Sequence, residues 1–318
     1  MRYTKYWKMD SEISTLYNQS KYREALTILE KASECLLPKE FEKYRFNIML
    51  SKAIFYCLEQ RFEEAISIIE SLINQGLVCD NDILEMLPIK QDIRYVELKK
   101  KNDEYLEKAR RKAKFKYIVH TPKDYTSEKK YPLFLALHGD PGNIDEFSEY
   151  WKPDEFLKKD FIFVYTQSSQ LLIQEGYGWT ENLSISRNEI VEIYNLVSQQ
   201  YSIDDKCILI GGFSGGAIAA IDVTMSNAIP IKGFIALGPE LTESFTKENV
   251  KLADERGVRG VLMEGEVIMS LPEQEEMINM VEESGLTHKF FINEGIGHAI
   301  PEDLSYKLNE AIKFIYNC

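Results

Sequence analysis

The apolar positions of this 318-residue chain follow two rhythms, one before and one after about residue 115. From Ser11 to about Leu87 they recur every three or four residues. "SKYREALTILEKASECLL" sets Tyr22, Ala25, Leu26, Leu29 and Ala32 on one face, which predicts an amphipathic helix. "QRFEEAISIIESLINQG" does the same with Phe62, Ala65, Ile66, Ile69 and Leu72, and Gly76 supplies a helix stop. Superposed, Tyr22 falls on Phe62 and Ala25 on Ala65, forty residues apart. The alanine admits a neighbouring helix while the aromatic ring fills the space beside it. The stretch 96–114, "VELKKKNDEYLEKARRKAK", is helical in period and rich in charge, and reads as a solvated connecting helix.

Past residue 115 the runs shorten. "KFKYIVHTP" alternates, and "YPLFLALHG", "FIFVYTQ", "CILIGG", "IKGFIALG", "RGVLME" and "HKFFINEG" are short apolar runs of the buried-strand type. Helical patterns such as "SRNEIVEIYNLVSQQY" and "EQEEMINMVEESG" lie between them. Strands alternating with helices imply an α/β fold, a mostly parallel sheet with helices on both faces, whose functional groups belong at the C-terminal strand ends. The expected organisation is an all-α, repeat-like domain over 1–95, the connecting helix over 96–114 and the α/β domain over 115–318.

Composition narrows the partners. A chain with 44% apolar and 28% charged residues is of ordinary globular make-up. Its formal charge of −13 argues against a nucleic-acid groove or an anionic membrane surface, which select lysine and arginine. No run approaches membrane-spanning length and the N-terminus lacks a signal-type apolar stretch, so a cytoplasmic location is expected. Cys35, Cys57, Cys79, Cys207 and Cys318 are odd in number and scattered, without a CxxC pair. Reduced thiols are expected, with neither metal nor cofactor.

Candidate chemistry concentrates in "LIGGFSGGAIAA", residues 209–220. A serine between glycine pairs, where a strand pattern becomes a helix pattern, satisfies GxSxG as Gly212 to Gly216. Such a turn needs neighbours without Cβ atoms, and the helix start aims N–H groups at whatever Ser214 attacks. A phosphate cradle would call for GxGxxG or GK[ST], and neither is present. A nucleophilic serine needs a base. His298, in "NEGIGHAIPED" after the last core strand, is placed for that, whereas His120 and His288 read as structural. "LALHGDPGN" ends a central strand in a glycine-rich turn, where the Asp140 amide could join that of Gly215 in an oxyanion hole. The Asp140 carboxylate would repel an oxyanion unless it points outward.

These residues resemble the α/β-hydrolase superfamily, on its esterase branch near the phospholipase/carboxylesterase and dienelactone-hydrolase-like enzymes. The resemblance runs from "YIVHTPKDY" to the C-terminus and rests on the HG turn at 138–139, GFSGG at 212–216 and GIGH at 295–298. It implies hydrolysis of a small-molecule ester or thioester through an acyl-serine intermediate. It also implies that Trp179, in "GYGWTENLS", lines the acyl pocket, with Gly139 and Phe213 beside the substrate. The family's acid follows the next-to-last strand as G-x-x-D, but in "LMEGEVIMSLPE" that slot holds Ile268. Glu266 is the nearest substitute, Glu240 after the preceding strand is a second, and the absence of any acid is a third. Serine, acid, histidine is the superfamily's chain order.

The helical half resembles the second helix of a tetratricopeptide repeat, whose period is ~34 against the forty found here. Two readings of that half stay open, a surface for a protein partner or a helical pair that only packs. They leave an alternative function, a catalytically weak or inactive hydrolase fold serving as a binding scaffold.

Overall fold

The computed structural model describes residues 2–86, 93–267 and 271–316. Their contacts divide the chain into two units. One comprises residues 1–113 with 171–176 and 296–300, and the other comprises 114–170, 177–295 and 301–318.

The first unit is helical. Tyr6–Asn18 and Tyr22–Glu30 pack as one pair and Arg45–Leu58 and Phe62–Asn74 as the next, with Tyr22–Glu30 against Arg45–Leu58. The aligned positions do the same work in both pairs: Ala25 and Ala65 are fully buried, and Leu26, Leu29, Ile66, Ile69 and Leu72 join the same core. Two short helices, Ala32–Cys35 and Pro38–Lys43, fill the connection between the pairs and account for its length.

Ile93–Arg110 is a single helix, and its inner face is not solvated as the charge pattern led one to expect. Tyr95 and Leu98 are buried in the helical core. Asn102 is fully buried, its amide donating to the Cys79 carbonyl at 3.0 Å while its oxygen accepts the Cys79 N–H at 2.9 Å. A buried amide must be satisfied in this way. The lysines and glutamates that dominate the count lie on the rest of the helix, and they hid this stripe.

The second unit holds a seven-stranded sheet in the order β1-β3-β2-β6-β7-β8-β9. The strands are β1 (Lys116–His120), β2 (Tyr131–Leu137), β3 (Ile162–Gln167), β6 (Ile203–Phe213), β7 (Ile231–Leu237), β8 (Arg259–Gly265) and β9 (His288–Asn293). Only β1 runs antiparallel; the other pairings are parallel. A separate two-stranded ribbon, β4 (Gln170–Ile173) with β5 (Gly176–Gly178), was not foreseen from the sequence.

Every residue of β2 is buried, which explains a run without polar alternation. Leu133, Leu135 and Leu137 enter a core with Ile190 and Ile193 of helix Leu183–Gln200 and Ala217 and Ala220 of helix Gly215–Met225. Phe134 points the other way, stacking on Phe163 and Trp151 and packing against Phe156. Helix Leu304–Tyr316 covers that second face, with Ile315 against Gly233. Burying each such side chain contributes ~1.5–3 kcal/mol. Because the strands run parallel, the ends of β2, β6, β7, β8 and β9 share one rim.

Candidate active site

β6 ends at Phe213 and a helix begins at Gly215, so Ser214 alone makes the turn. Its backbone is at φ 52°, ψ −123°, a conformation that costs a non-glycine residue ~1–3 kcal/mol and persists only where neighbours impose it. Here they do. The Ser214 N–H donates to the Leu237 carbonyl of β7 at 2.8 Å, and the Ser214 carbonyl accepts from Ile218 N–H at 3.0 Å. The flanking glycines allow the helix to sit close against the strands: a Cβ on Gly212 would strike the Leu137 carbonyl, and one on Gly216 the carbonyls of Leu137 and His138.

A serine preceding a helix ordinarily turns its hydroxyl back onto the second or third helical N–H. The Ser214 hydroxyl makes no such cap. It is left half-buried beside a helix N-terminus whose first N–H groups have no intrahelical acceptor and carry the positive end of the dipole.

The turn after β2 packs on this elbow. Gly139 lies against the Phe213 ring, where a Cβ would be 3.0 Å from Cδ1. The Asp140 N–H has no acceptor among the described residues. Its carboxylate is turned inward against Gly215, so the outward orientation named as the condition for an oxyanion site is not the one found. Asp140 Oδ2 accepts from Trp179 N–H at 2.8 Å, Thr180 N–H at 2.9 Å and Thr180 Oγ1 at 2.8 Å, whereas Oδ1 is buried without a partner. Burial raises the Asp140 pKa, and the Thr180 and Trp179 donors oppose that rise.

For Trp179, which from the sequence suits the acyl pocket or the core equally, the packing is that of the core. It has no exposed surface and fills the core, with its ring centroid 5.1 Å from that of His138. It meets Asp140 through its backbone N–H. His138 is itself buried, which pushes its imidazole down to about 4.

The carboxylates at the ends of β7 and β8 differ in their surroundings. Glu266 is exposed and accepts the Gly295 N–H at 2.9 Å, while its own N–H donates to the Asn293 carbonyl. It thus ties down the chain leaving β9. Glu240 is exposed, with no hydrogen bond among the described residues. Ile268, the slot where the resemblance expects an aspartate, lies outside the described residues.

Glu264 was not among the acids singled out from the sequence. It lies within unbroken β8 and is buried, with Oε1 accepting the Gly265 N–H at 3.1 Å and Oε2 unpartnered. Burial, reinforced by the Glu240 charge, pushes its pKa up to about 7. The available signal was a lone acid inside an apolar strand.

His298 lies in the segment 296–300, which belongs by its contacts to the helical unit. Its carbonyl accepts from Ser14 Oγ at 2.6 Å, and the preceding Gly297 N–H donates to Thr15 Oγ1 at 3.1 Å. Burial holds its imidazole below the ordinary histidine value. Within the sheet unit, Gly139, Asp140, Phe213, Ser214 and Gly215 come together in the structure. Glu266 and Glu264 stand at the end of β8.

Residues 177–318, just under half of the chain, match the model described as phospholipase/carboxylesterase. That span holds Ser214 and His298 and leaves the Asp140 turn outside. No curated protein matches the chain. Among solved structures, an uncharacterized protein from Bacillus cereus ATCC 10987 is 24% identical with a TM-score of 0.55, over 99% of each chain. Esterase PE8 is 17% identical with a TM-score of 0.51, over 64% of this chain and 99% of its own. At these identities the likeness is one of fold. No helix among the described residues is long and apolar enough to cross a membrane. The sheet unit has an α/β-hydrolase-like fold, and its part within residues 177–318 is similar to the phospholipase/carboxylesterase family.

Proposed function

We propose that the protein is a serine esterase that cleaves a small-molecule carboxylic ester or thioester through an acyl-serine intermediate. Ser214 Oγ attacks the carbonyl carbon and its proton passes to His298. The amides of Asp140 and Gly215 receive the oxyanion, and the tetrahedral adduct collapses as His298 returns the proton to the leaving alcohol or thiol. Water, activated by the same histidine, then releases the acid. A carboxylate at the β7 and β8 ends orients the imidazole: Glu266 or Glu240 by chain position, Glu264 by its burial and its unpartnered oxygen. Gly139 and Phe213 flank the reacting carbonyl.

The observation that carries this reading is the Ser214 backbone: a positive φ at a residue whose hydroxyl does not cap its helix. A serine selected only for structure would relieve that conformation as glycine or use its hydroxyl as a cap. The inward Asp140 carboxylate bears on the oxyanion site. Three donors on Oδ2 draw its charge toward Thr180, so the N–H can still face the substrate.

The test is a fluorophosphonate reaction followed by peptide mapping, with p-nitrophenyl acetate and an acetyl thioester as substrates. The expected adduct is on Ser214, and Ser214→Ala and His298→Ala abolish turnover of both substrates. A folded protein that takes no label at Ser214 overturns the reading.

A further inference from the structure

The segment that bears His298 has little structure of its own. Residues 296–300 lie between β9 and helix Leu304–Tyr316 without regular secondary structure, and Gly295 and Gly297 loosen it further. A flexible segment cannot hold an imidazole in one place unless something else fixes its backbone.

What fixes it is the first helix of the chain, through two consecutive residues acting on two consecutive residues. Ser14 Oγ donates to the His298 carbonyl at 2.6 Å, and Thr15 Oγ1 accepts the Gly297 N–H at 3.1 Å. The Thr15 hydroxyl proton is committed to the Ser11 carbonyl at 2.9 Å, which leaves a lone pair for Gly297. Donor meets carbonyl and acceptor meets amide, so the segment is gripped in both directions. Because the grip is on the backbone, it uses no atom of the imidazole.

The helix that supplies the grip is itself anchored. Met9 and Ile13 are buried in the helical core, and Tyr6 stacks on Tyr44 with centroids 4.3 Å apart. At its start the Tyr6 N–H donates to Glu40 Oε2 at 3.0 Å, and the Lys5 ammonium pairs with Glu40 Oε1 at 3.1 Å.

We infer that Ser14 and Thr15 are positioning residues for His298, the base of the proposed esterase. This rests on the esterase reading above. It accounts for the grouping of residues 296–300 with the helices although they follow the last strand of the sheet unit.

The experiment uses the full-length protein with four variants: Ser14→Ala, Thr15→Val, their double, and the hydroxyl-retaining double Ser14→Thr/Thr15→Ser. Steady-state hydrolysis of p-nitrophenyl acetate separates kcat from KM, and hydrogen exchange followed by mass spectrometry reads the amides of 296–300. Removing both hydroxyls is expected to lower kcat ~10–100-fold with KM changed less than about twofold, in line with the cost of a small misplacement of a catalytic group. Exchange at 296–300 should rise at least tenfold while the sheet amides are unchanged. The hydroxyl-retaining double should restore kcat to within about threefold.

If the double loses both hydroxyls and neither kcat nor the exchange at 296–300 moves, the inference is overturned. It is also overturned if exchange rises and kcat is unaffected, or if the hydroxyl-retaining double is as slow as the one without hydroxyls. A wild-type protein that fails to hydrolyse the ester or take label on Ser214 sinks the esterase reading instead, and with it the positioning role.

Discussion

Gly215 leaves no room for a side chain, and the group in the way is the Asp140 carboxyl. Replacing Gly215 with alanine forces a choice. Either the elbow shifts, or Asp140 withdraws from Trp179 N–H, Thr180 N–H and Thr180 Oγ1. A hydrogen bond to a charged group is worth ~1.5–3 kcal/mol, and an extra methyl in a packed site costs ~1–3 kcal/mol. The better helix propensity of alanine returns at most ~1 kcal/mol. The net expectation for Gly215→Ala is a loss of ~2–4 kcal/mol.

Asp140→Ala should also destabilise, by ~1–3 kcal/mol, because it strands the two amides. The double variant is the decisive one. With the carboxyl gone, the new methyl has space, so the double should be ~2 kcal/mol more stable than the sum of the single losses. Urea denaturation of the four proteins, each checked for a common slope, measures this coupling. Additivity to within ~0.5 kcal/mol would refute the claim that the two groups compete for one space.

Glu264, His298 and Ser214 each give a further outcome. Glu264 titrates at about 7 in the folded protein against 4.5 for the free side chain, so between those values the folded state holds a proton that the unfolded state has lost. Stability therefore falls as pH rises through that window, by up to ~3 kcal/mol. Glu264→Gln should flatten the slope in denaturation measured from pH 4 to pH 8, and an unchanged slope would remove Glu264 as its source. The depressed His298 pKa leaves the imidazole neutral at lower pH than usual, so the acid limb of kcat/KM is expected below the ordinary histidine value; a limb at or above it would contradict the burial. Ser214→Gly should be ~1–2 kcal/mol more stable than Ser214→Ala in thermal or urea unfolding, because glycine tolerates the positive φ; equal stabilities would mean the turn stores no strain.

The sequence made the sheet legible because burial on both faces leaves a run without polar alternation, as in β2, and the elbow legible because close approach admits only glycine at Gly212 and Gly216. Side-chain direction was not legible. For Asp140 the sequence left the direction open, and the backbone amides of Trp179 and Thr180, some forty positions away, offer it inward donors that local reasoning could not see. The burial of Glu264 was illegible for a similar reason: alternation along β8 fixes the face of the sheet, and whether that face is open at the strand end depends on the packed neighbours. The helix Ile93–Arg110 hid a buried stripe because charged residues on its outer surface outnumber the apolar ones.

The departures from ordinary packing are unevenly spread over the sheet unit. Of the ten buried and unpartnered side-chain atoms among the described residues, six lie at or just past C-terminal strand ends: His138 Nε2 and Asp140 Oδ1 follow β2, Gln167 Nε2 ends β3, Glu264 Oε2 ends β8, and both amide atoms of Asn293 end β9. Trp151 Nε1, Gln170 Oε1, Trp179 Nε1 and Ser198 Oγ lie elsewhere, none at the N-terminal end of a strand of the seven-stranded sheet. Ser214, with its positive φ, follows β6. A sheet merely packed loosely would show such atoms at either end of its strands. Their concentration at the C-terminal ends follows from the parallel order, which brings those ends to one rim and leaves the opposite ends to ordinary turns. Polar groups held there without partners are costly in a folded chain but ready to engage a substrate. Substitutions that relieve the cost, Glu264→Gln and Ser214→Gly among them, should therefore stabilise the protein as they impair its chemistry, an inverse relation that substitutions at the other edge of the sheet should not show.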